Sequence, residues 1–571
     1  MSRRFLSLIM AAPLLLPVSL RADEERPKLE LSLEEAVKRA LENNVDIAVQ
    51  RFTPQFTEEA IRATRGYYDP QAFAAINEVS IATPQTSAFS GGSKVTQKTF
   101  TYNFGVNQYL PSGASVRLEF DNSRSTTNSI FVLFNPSYAS TLTASITQPL
   151  LKNLGMDVNR EQIKVARKNK EISDVQFQQV VTTTIANVKG LYYDYLTALD
   201  NLDAANKSLG LAQKLLDENK IKVRVGTLAP LDIVVADSEV ASREQDVITA
   251  EARITDAEDN LKAAIFPKDD PTTWALQIVP TDKTTPALTH VDVNAALQTA
   301  MEKRTDLVAA RKNVELLDIG VQYSKSQTLP QLDLVASYGG QGVGGDQFVR
   351  QGLGGPVVQV IPGGYSDATS QVFGFSYPTW KVGVNFTYPI GNRTAGANLA
   401  QARLNKDQAA IVLRRLELEV ATEIRSAARA VETNIKRVDA ARAARVLEEQ
   451  RLDAEGKKFG AGMSTNFFVT QAQRDLAAAV FTEIQTVNDY NKSVVNFERT
   501  QIAGPGTLST LSYSTALSGS SPATTPTSTT ASTSSTSTTS TTLGAVSSTT
   551  ATTAGLTTIQ STNKSRGPSH P

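Results

Sequence analysis

The 571-residue chain has no cysteine and only two histidines, His290 and His570, at distant positions. Disulfides and a thiol nucleophile are excluded, and a His/Cys metal site lacks the ligands to build it. A cysteine-free chain also fits folding outside the cytoplasm without disulfides. Charge of one sign is missing too. Lys plus Arg and Asp plus Glu each number 57, and no long basic run occurs, so nothing points to nucleic acid. No nucleophile–base pair or metal cluster has a spacing that suggests chemistry, so the sequence indicates neither an enzyme nor a cofactor. Beyond the N-terminus no stretch is apolar enough for a transmembrane helix, so a membrane location requires β-structure.

The two ends differ from the rest. Arg3 and Arg4, the apolar run Phe5–Leu20 and the small Ala22 before Asp23 read as a secretory signal over residues 1–22. Pro13 and Pro17 interrupt that run, and it is short for a membrane anchor. No cysteine follows it, which excludes lipid anchoring there. From Gly504 the composition collapses to Ser, Thr, Ala and Gly, and residues 504–571 read as a disordered tail, with a glycosylated or wall-associated stalk as the alternative.

Between the ends, apolar residues alternate at spacings of three and four: Ile185, Val188, Tyr192, Tyr195, Leu199, Leu202, Leu209 and Leu216. That is a heptad seam. After Lys222–Ala236, Ile233, Val240, Val247, Ile254 and Leu261 recur every seven residues, with Ala236, Ala250, Ala257 and Ala264 as small companions. The two stretches form an antiparallel hairpin whose tip turns at Gly226 and restarts at Pro230. An offset of 236 lays Gly226 on Gly462, Val188 on Ile424 and Tyr195 on Val431. An offset of 260 lays Ala36 on Ala296, Asp46 on Asp306 and Pro70 on Pro330. The chain is a tandem duplication: a first repeat over 23–266, a connector over 267–290 and a second repeat over 291–503.

Each repeat opens with a short amphipathic helix, capped by a Ser32/Glu35 capping box or by Asp292. A second helix then breaks near Pro70 or Pro330. Beyond the break the period becomes two: Leu332, Leu334, Ala336 and Tyr338; Val382, Val384, Phe386, Tyr388 and Ile390; Leu142, Ala144, Ile146 and Gln148; and a hairpin from Phe100 to Phe120 around Pro111-Ser112-Gly113. Four to six strands per chain, each with one oily and one polar face, suit either a soluble sandwich or a membrane barrel. A barrel needs eight or more strands and no open edge, so it would have to be pooled from several chains. Tyr102, Tyr109, Phe131, Phe134, Tyr138, Phe373, Phe375, Tyr377 and Trp380 are candidates for its interfaces. The run Gly339–Gly345 matches G-x-G-x-x-G, but more Gly and Pro follow it where a nucleotide site needs a helix, so it reads as a flexible surface loop between strands.

The order of these segments resembles the TolC family of outer-membrane efflux and secretion channels over residues 30–503. The likeness rests on Leu31–Val37, Gln148-Pro149-Leu150-Leu151, and Val225-Gly226-Thr227 followed by Leu231-Asp232-Ile233. The resemblance implies an α+β membrane protein: a homotrimer with one outer-membrane β-barrel, continued by a periplasmic barrel of antiparallel coiled coils. It implies contact with outer-membrane lipid, an adaptor protein and an inner-membrane pump, and the passive passage of small molecules or proteins. The adaptor-docking tips are then Val225, Gly226 and Thr227, and, matching less closely, Ala461, Gly462 and Met463. The family pattern has aspartates six and nine residues after the second tip glycine; here those places hold Phe468 and Gln471. Phe467, Phe468, Gln471 and Asp232, the last at the place of Phe468 in the first repeat, are therefore the candidates for the periplasmic gate. One aromatic, Phe468, is expected to point into the tunnel; the competing reading packs both rings between helices. A non-conducting coiled-coil scaffold or adhesin with a β-anchor is the alternative to a channel.

Overall fold

The computed structural model describes residues 27–84, 94–267, 271–282, 288, 290–352 and 354–504; the signal sequence and nearly all of the tail read from the sequence lie outside the described residues. In chain order, β1 (Lys28–Leu31), α1 (Leu33–Asn43) and α2 (Val45–Arg65) lead into four strands, β2 (Gln71–Pro84), β3 (Lys94–Tyr109), β4 (Ser115–Thr127) and β5 (Phe134–Pro149). A single turn, α3 (Met156–Asn159), precedes α4 (Glu161–Arg224), and α5 (Leu231–Ile265) returns. After α6 (Pro271–Trp274), β6 (Gln277–Pro280) pairs in parallel with β1. The chain continues as α7 (Val293–Lys303), α8 (Thr305–Gln327), β7 (Gln331–Arg350), β8 (Val357–Ile361), α9 (Tyr365–Phe373), β9 (Pro378–Thr387), α10 (Arg393–Gly460) and α11 (Asn466–Ile502).

The long helices form one layer. With 64 and 68 residues, α4 and α10 are each about 100 Å long. On one side of α4 lie α2 and α5; on its other side α8 and α11 join it to α10. The heptad seams hold this layer: Val188, Tyr192 and Tyr195 on α4 and Leu261 on α5 are buried, as are Ile424, Val431 and Val438 on α10. Apolar burial at about 25 cal/mol per Å² is the main force along such rods, which have no other core.

Two of the four rods are spliced from two helices, and the splices are polar. Asn44 accepts from the Asp46 and Ile47 backbone N–H groups with Oδ1 (3.0 and 3.2 Å), capping α2, while its Nδ2 donates to the Ala264 carbonyl (3.1 Å) at the end of α5. One side chain thus satisfies orphan groups of two helix ends. Between α7 and α8, Arg304 is buried and bonds to Asp306 (3.0 Å), Glu423 (2.5 Å) and the Thr500 carbonyl (3.1 Å), joining α8 to α11. The Ser32 cap forms as expected, accepting from the Glu35 N–H (3.2 Å), but the reciprocal half of the capping box does not. The Glu35 carboxylate turns to Arg39 instead (3.0 Å), a stronger partner than a backbone amide.

The sheet runs β2-β3-β4-β5-β7, after which β8 and β9 share the far side of β7. Among the described residues this sheet has seven strands, against the four to six expected. The additional long one is β2, where Ala72, Phe73, Ala74, Ala75 and Ile76 place apolar residues on both faces and hide the period of two. The Phe100–Phe120 hairpin forms as β3–β4 around its Pro111–Gly113 turn. One face carries Val116, Leu118 and Phe120 opposite Ile146, Ala144 and Leu142, and Leu334, Ala336 and Tyr338 opposite Val384, Val382 and Trp380. The other carries Arg117, Glu119 and Asp121 opposite Ser145, Thr143 and Thr141. Where α9 does not cover it, the oily face stands bare: Trp380 is 75% exposed, and Val382, Val384 and Phe386 are exposed beside it.

The glycine run is not a loop. Gly339–Gly345 lies within β7, paired with β5, and the chain folds α9 over it. A Cβ at Gly342 would stand 2.1 Å from the Ala368 carbonyl oxygen, and one at Gly344 would stand 2.1 Å from that of Gly364. These glycines let a helix backbone rest directly on a strand. Gln371 completes the contact, accepting from the Val343 N–H and donating to its carbonyl (3.1 Å each).

Candidate functional site at the hairpin tips

Both tips are closed by the same backbone device. At the end of α4, the Thr227 N–H donates to the Lys222 carbonyl (2.9 Å) and the Gly226 N–H donates to that of Val223 (3.0 Å). At the end of α10, Met463 donates to Lys458 (2.8 Å) and Gly462 to Phe459 (3.2 Å). This paired bonding is the Schellman motif, which requires a left-handed residue just past the helix; Gly226 has φ +79° and Gly462 φ +76°. The Thr227 hydroxyl adds a bond to the Lys222 carbonyl (3.0 Å), while the Ser464 hydroxyl donates to Glu455 (2.9 Å). Lys458 and that hydroxyl hold the Glu455 carboxyl below its ordinary value. Val225 and Met463 stand exposed at the two turns.

The two tips lie side by side. Lys222 Nζ sits 3.4 Å above the centre of the Phe459 ring and donates to its carbonyl (3.3 Å). The buried pair Asn219 and Asn466 bond at 2.9 Å, and Asn466 Nδ2 reaches the Asp232 carbonyl (3.4 Å). Leu215, Phe459 and Val469 form a small apolar cluster at the same level. Further up, Glu239, 3% exposed, takes bonds from Arg243 on its own helix (2.7 and 2.9 Å) and from Arg474 on α11 (2.5 and 2.9 Å). Burial pushes the Glu239 carboxyl up, but the two guanidiniums outweigh it and hold the group below its ordinary value.

The gate candidates sit on the first turns of α11 and α5. Phe467 and Phe468 are 65% and 55% exposed, their rings edge to face at 5.6 Å. Within the chain neither packs between helices, because Asn466, Val469, Thr470 and Ala472 occupy the buried positions of that turn. Gln471 donates to Asp475 (2.7 Å). Asp232 is half-buried at the start of α5, tied to this group through its own carbonyl. The structure thus brings the tip residues and gate candidates into one end of the helical layer. Sequence reading missed the polar links Asn219–Asn466 and Glu239–Arg474, whose only signal was a polar residue interrupting an apolar stripe. Among the described residues no cluster of His, Asp or Glu could hold a metal ion, and no helix is long and apolar enough to cross a membrane.

Comparison with known proteins sets this geometry in context. The sequence pattern of the family described as outer membrane efflux protein matches residues 36–265 and 296–499. Outer membrane protein TolC of Escherichia coli (strain K12) is 25% identical over 308 residues, which span 53% of this chain and 58% of the length of that relative. Among solved structures, the outer-membrane channel OprN superposes with a TM-score of 0.59 at 15% identity, covering 83% of this chain and 90% of its own. The open state of the Neisseria gonorrhoeae MtrE outer membrane channel gives 0.54 at 17% identity, covering 83% and 89%.

Proposed function

The chain belongs to the outer membrane efflux protein family and resides in the outer membrane with its helices on the periplasmic side; from that premise we propose that it is the passive conduit of an efflux or type I secretion assembly, active as a homotrimer. The observation that carries this reading is the sheet. Away from α9 its oily face is bare and its opposite face polar, as lipid on one side and a watery lumen on the other demand, and β2 and β9 leave its edges unpaired. Six long strands cannot close a membrane barrel, and three copies pool eighteen, enough for an aqueous channel.

The helical layer supports the same assembly. Its free edges are α2 on one side and α10 on the other, and each bears an exposed apolar stripe: Val45, Val49, Phe52 and Phe56 on α2, Leu404, Ile411 and Leu418 on α10. Both stripes begin a few turns below the sheet and the two helices run in opposite directions, so the α2 of one copy fits the α10 of the next. Such stripes left in water are a liability on this scale. In the trimer Val225–Thr227 and Ala461–Met463 face the periplasmic adaptor of an inner-membrane pump. Phe468, exposed in the single chain, closes the tunnel as an apolar ring with its two copies, flanked by Gln471 and Asp232. Conduction needs no catalytic group or cofactor, because the pump supplies the work.

Single-channel conductance in a planar bilayer tests this, comparing the wild type with Phe468→Ala. Small, discrete openings that grow in the variant are expected, since removing an apolar constriction lowers the barrier for hydrated ions. Equal conductance discards the Phe468 ring and keeps the channel. No openings in either protein, with insertion confirmed, refutes the conduit.

A further inference from the structure

We propose that the outer rim of the sheet binds a phosphate-bearing lipid headgroup of the outer leaflet through Lys98 and Arg124. The proposal rests on the reading that the oily face meets lipid.

All the long helices attach at one end of the sheet, so the turns at the other end mark the rim farthest from the periplasm. Along β4 the oily-face positions are Val116, Leu118, Phe120, Asn122 and Arg124. From Val116 to Arg124 is eight residues, about 26 Å at roughly 3.3 Å per residue, close to the ~25 Å apolar band of outer-membrane barrels. Arg124 therefore stands where acyl chains give way to headgroups. Phe100 is its cross-strand partner, and Lys98, two residues further along β3, is its diagonal neighbour on the same face.

The site is built rather than incidental. Arg124 Nε donates to the Tyr138 hydroxyl (3.3 Å). The Tyr365 ring, at the start of α9, lies against Tyr138 and Tyr102 at 6.2 and 5.8 Å, and its hydroxyl donates to Asn122 Oδ1 (3.1 Å). The helix that carries Tyr365 is docked by the glycines of β7, so the aromatic wall beside Arg124 is fixed. Both cations are exposed, and among the described residues neither forms an ion pair. Glu78, opposite Phe100 on the same face, offsets only one of these two charges. A cation facing lipid is unfavourable unless it has an anion at its own depth, and a guanidinium matches phosphate in two parallel bonds. Phosphate at the acyl boundary answers both requirements.

The test uses the full-length protein in nanodiscs of phosphatidylcholine containing a minor fraction of lipid A, with retained lipid counted by native mass spectrometry. The wild type should keep lipid A, and Lys98→Gln/Arg124→Gln should keep about tenfold less, corresponding to roughly 1.4 kcal/mol. Lys381→Gln, on the polar face, should match the wild type, and excess inorganic phosphate should displace little. Equal retention by wild type and double variant overturns the site. A separate readout isolates the underlying premise: Trp274 and Trp380 are the only tryptophans, so in Trp274→Phe the quenching of Trp380 by brominated lipid reports whether the oily face meets lipid. Absence of quenching refutes that premise and the site with it; quenching together with equal retention refutes the site alone.

Discussion

Removing Arg474 should loosen one hairpin from the other without unfolding either. Glu239 is buried, and its carboxylate is shared between Arg243 of α5 and Arg474 of α11, so one bond lies within a hairpin and the other between hairpins. Arg474→Ala deletes two charge-assisted bonds. The Arg474 side chain is 52% exposed, which screens part of their value, and Arg243 still neutralises the buried carboxylate, so the full penalty for an orphaned charge does not arise. The expected cost is about 1–2 kcal/mol. Glu239→Ala strands two guanidiniums instead, although Arg243 keeps Asp246 (2.9 Å), and should cost about 2–3 kcal/mol. A double-mutant cycle on Glu239 and Arg474, read by urea unfolding in detergent, should give a coupling of about 1–2 kcal/mol. Because the chain has no cysteine, spin labels at Val225→Cys and Met463→Cys report the tip separation directly, and Arg474→Ala should broaden that distribution. A coupling near zero with an unchanged distribution would refute the reasoning.

The same triad sets a pH dependence whose sign follows from the lowered Glu239 value. A carboxyl held below its unfolded value adds stability that is whole above about pH 4.3 and is lost as the pH falls through the folded value. Tip separation should therefore be flat from pH 6 to 8 and broaden only in acid. Arg474→Ala should move that onset to higher pH.

Arg304→Ala removes the buried cation that answers Asp306 and Glu423 and holds the Thr500 carbonyl. A loss of about 3–5 kcal/mol is expected, with faster amide exchange at the C-terminal end of α11. Gly342→Ala drives a methyl into the Ala368 carbonyl and should cost at least about 1–3 kcal/mol, freeing α9 to proteolysis while the helical layer stays folded. Gly226→Ala forces an alanine into left-handed backbone at +79°, costing about 1–2 kcal/mol, and should weaken adaptor binding more than it lowers the melting temperature. The double variant Phe52→Cys/Ile411→Cys should cross-link under oxidation into a ladder ending at three copies. A ladder that stops at two, or continues beyond three, contradicts the trimer.

The helical half of the molecule was legible because its determinants are local and periodic. Val188 and Ile424, each on the apolar seam of a long helix, are both fully buried, as the heptad register required. Gly226 and Gly462 were equally plain, since a long helix that must reverse needs a left-handed residue at its end. What stayed hidden was polar. Asn44 and Arg304 splice helices end to end through groups 220 and 196 residues away, and no periodicity reports a bond of that span. The gate candidates could be counted along the turn, but their exposure in the single chain follows from which neighbours fill the seam, and those are Asn466 and Thr470 rather than the aromatics.

The glycine run shows how one composition permits two readings. Gly339–Gly345 looked like a loop because glycine in a strand weakens it and adds no side chain to pack. The missing fact was nonlocal: Ala368 and Val372, about 25 to 30 residues later, need a backbone surface to lie on, and both are fully buried there. Alternate glycines in β7 supply that surface, so the oily face of the strand ends at Tyr338 and a helix takes over where side chains stop. With α9 fixed, Tyr365 stands beside Tyr102 and Tyr138 and the Arg124 guanidinium has a wall. A substitution that lifts the helix, Gly342→Ala, should therefore also weaken lipid A retention at a rim that it does not touch. Normal retention with α9 displaced would separate the two and show that Arg124 needs no such wall.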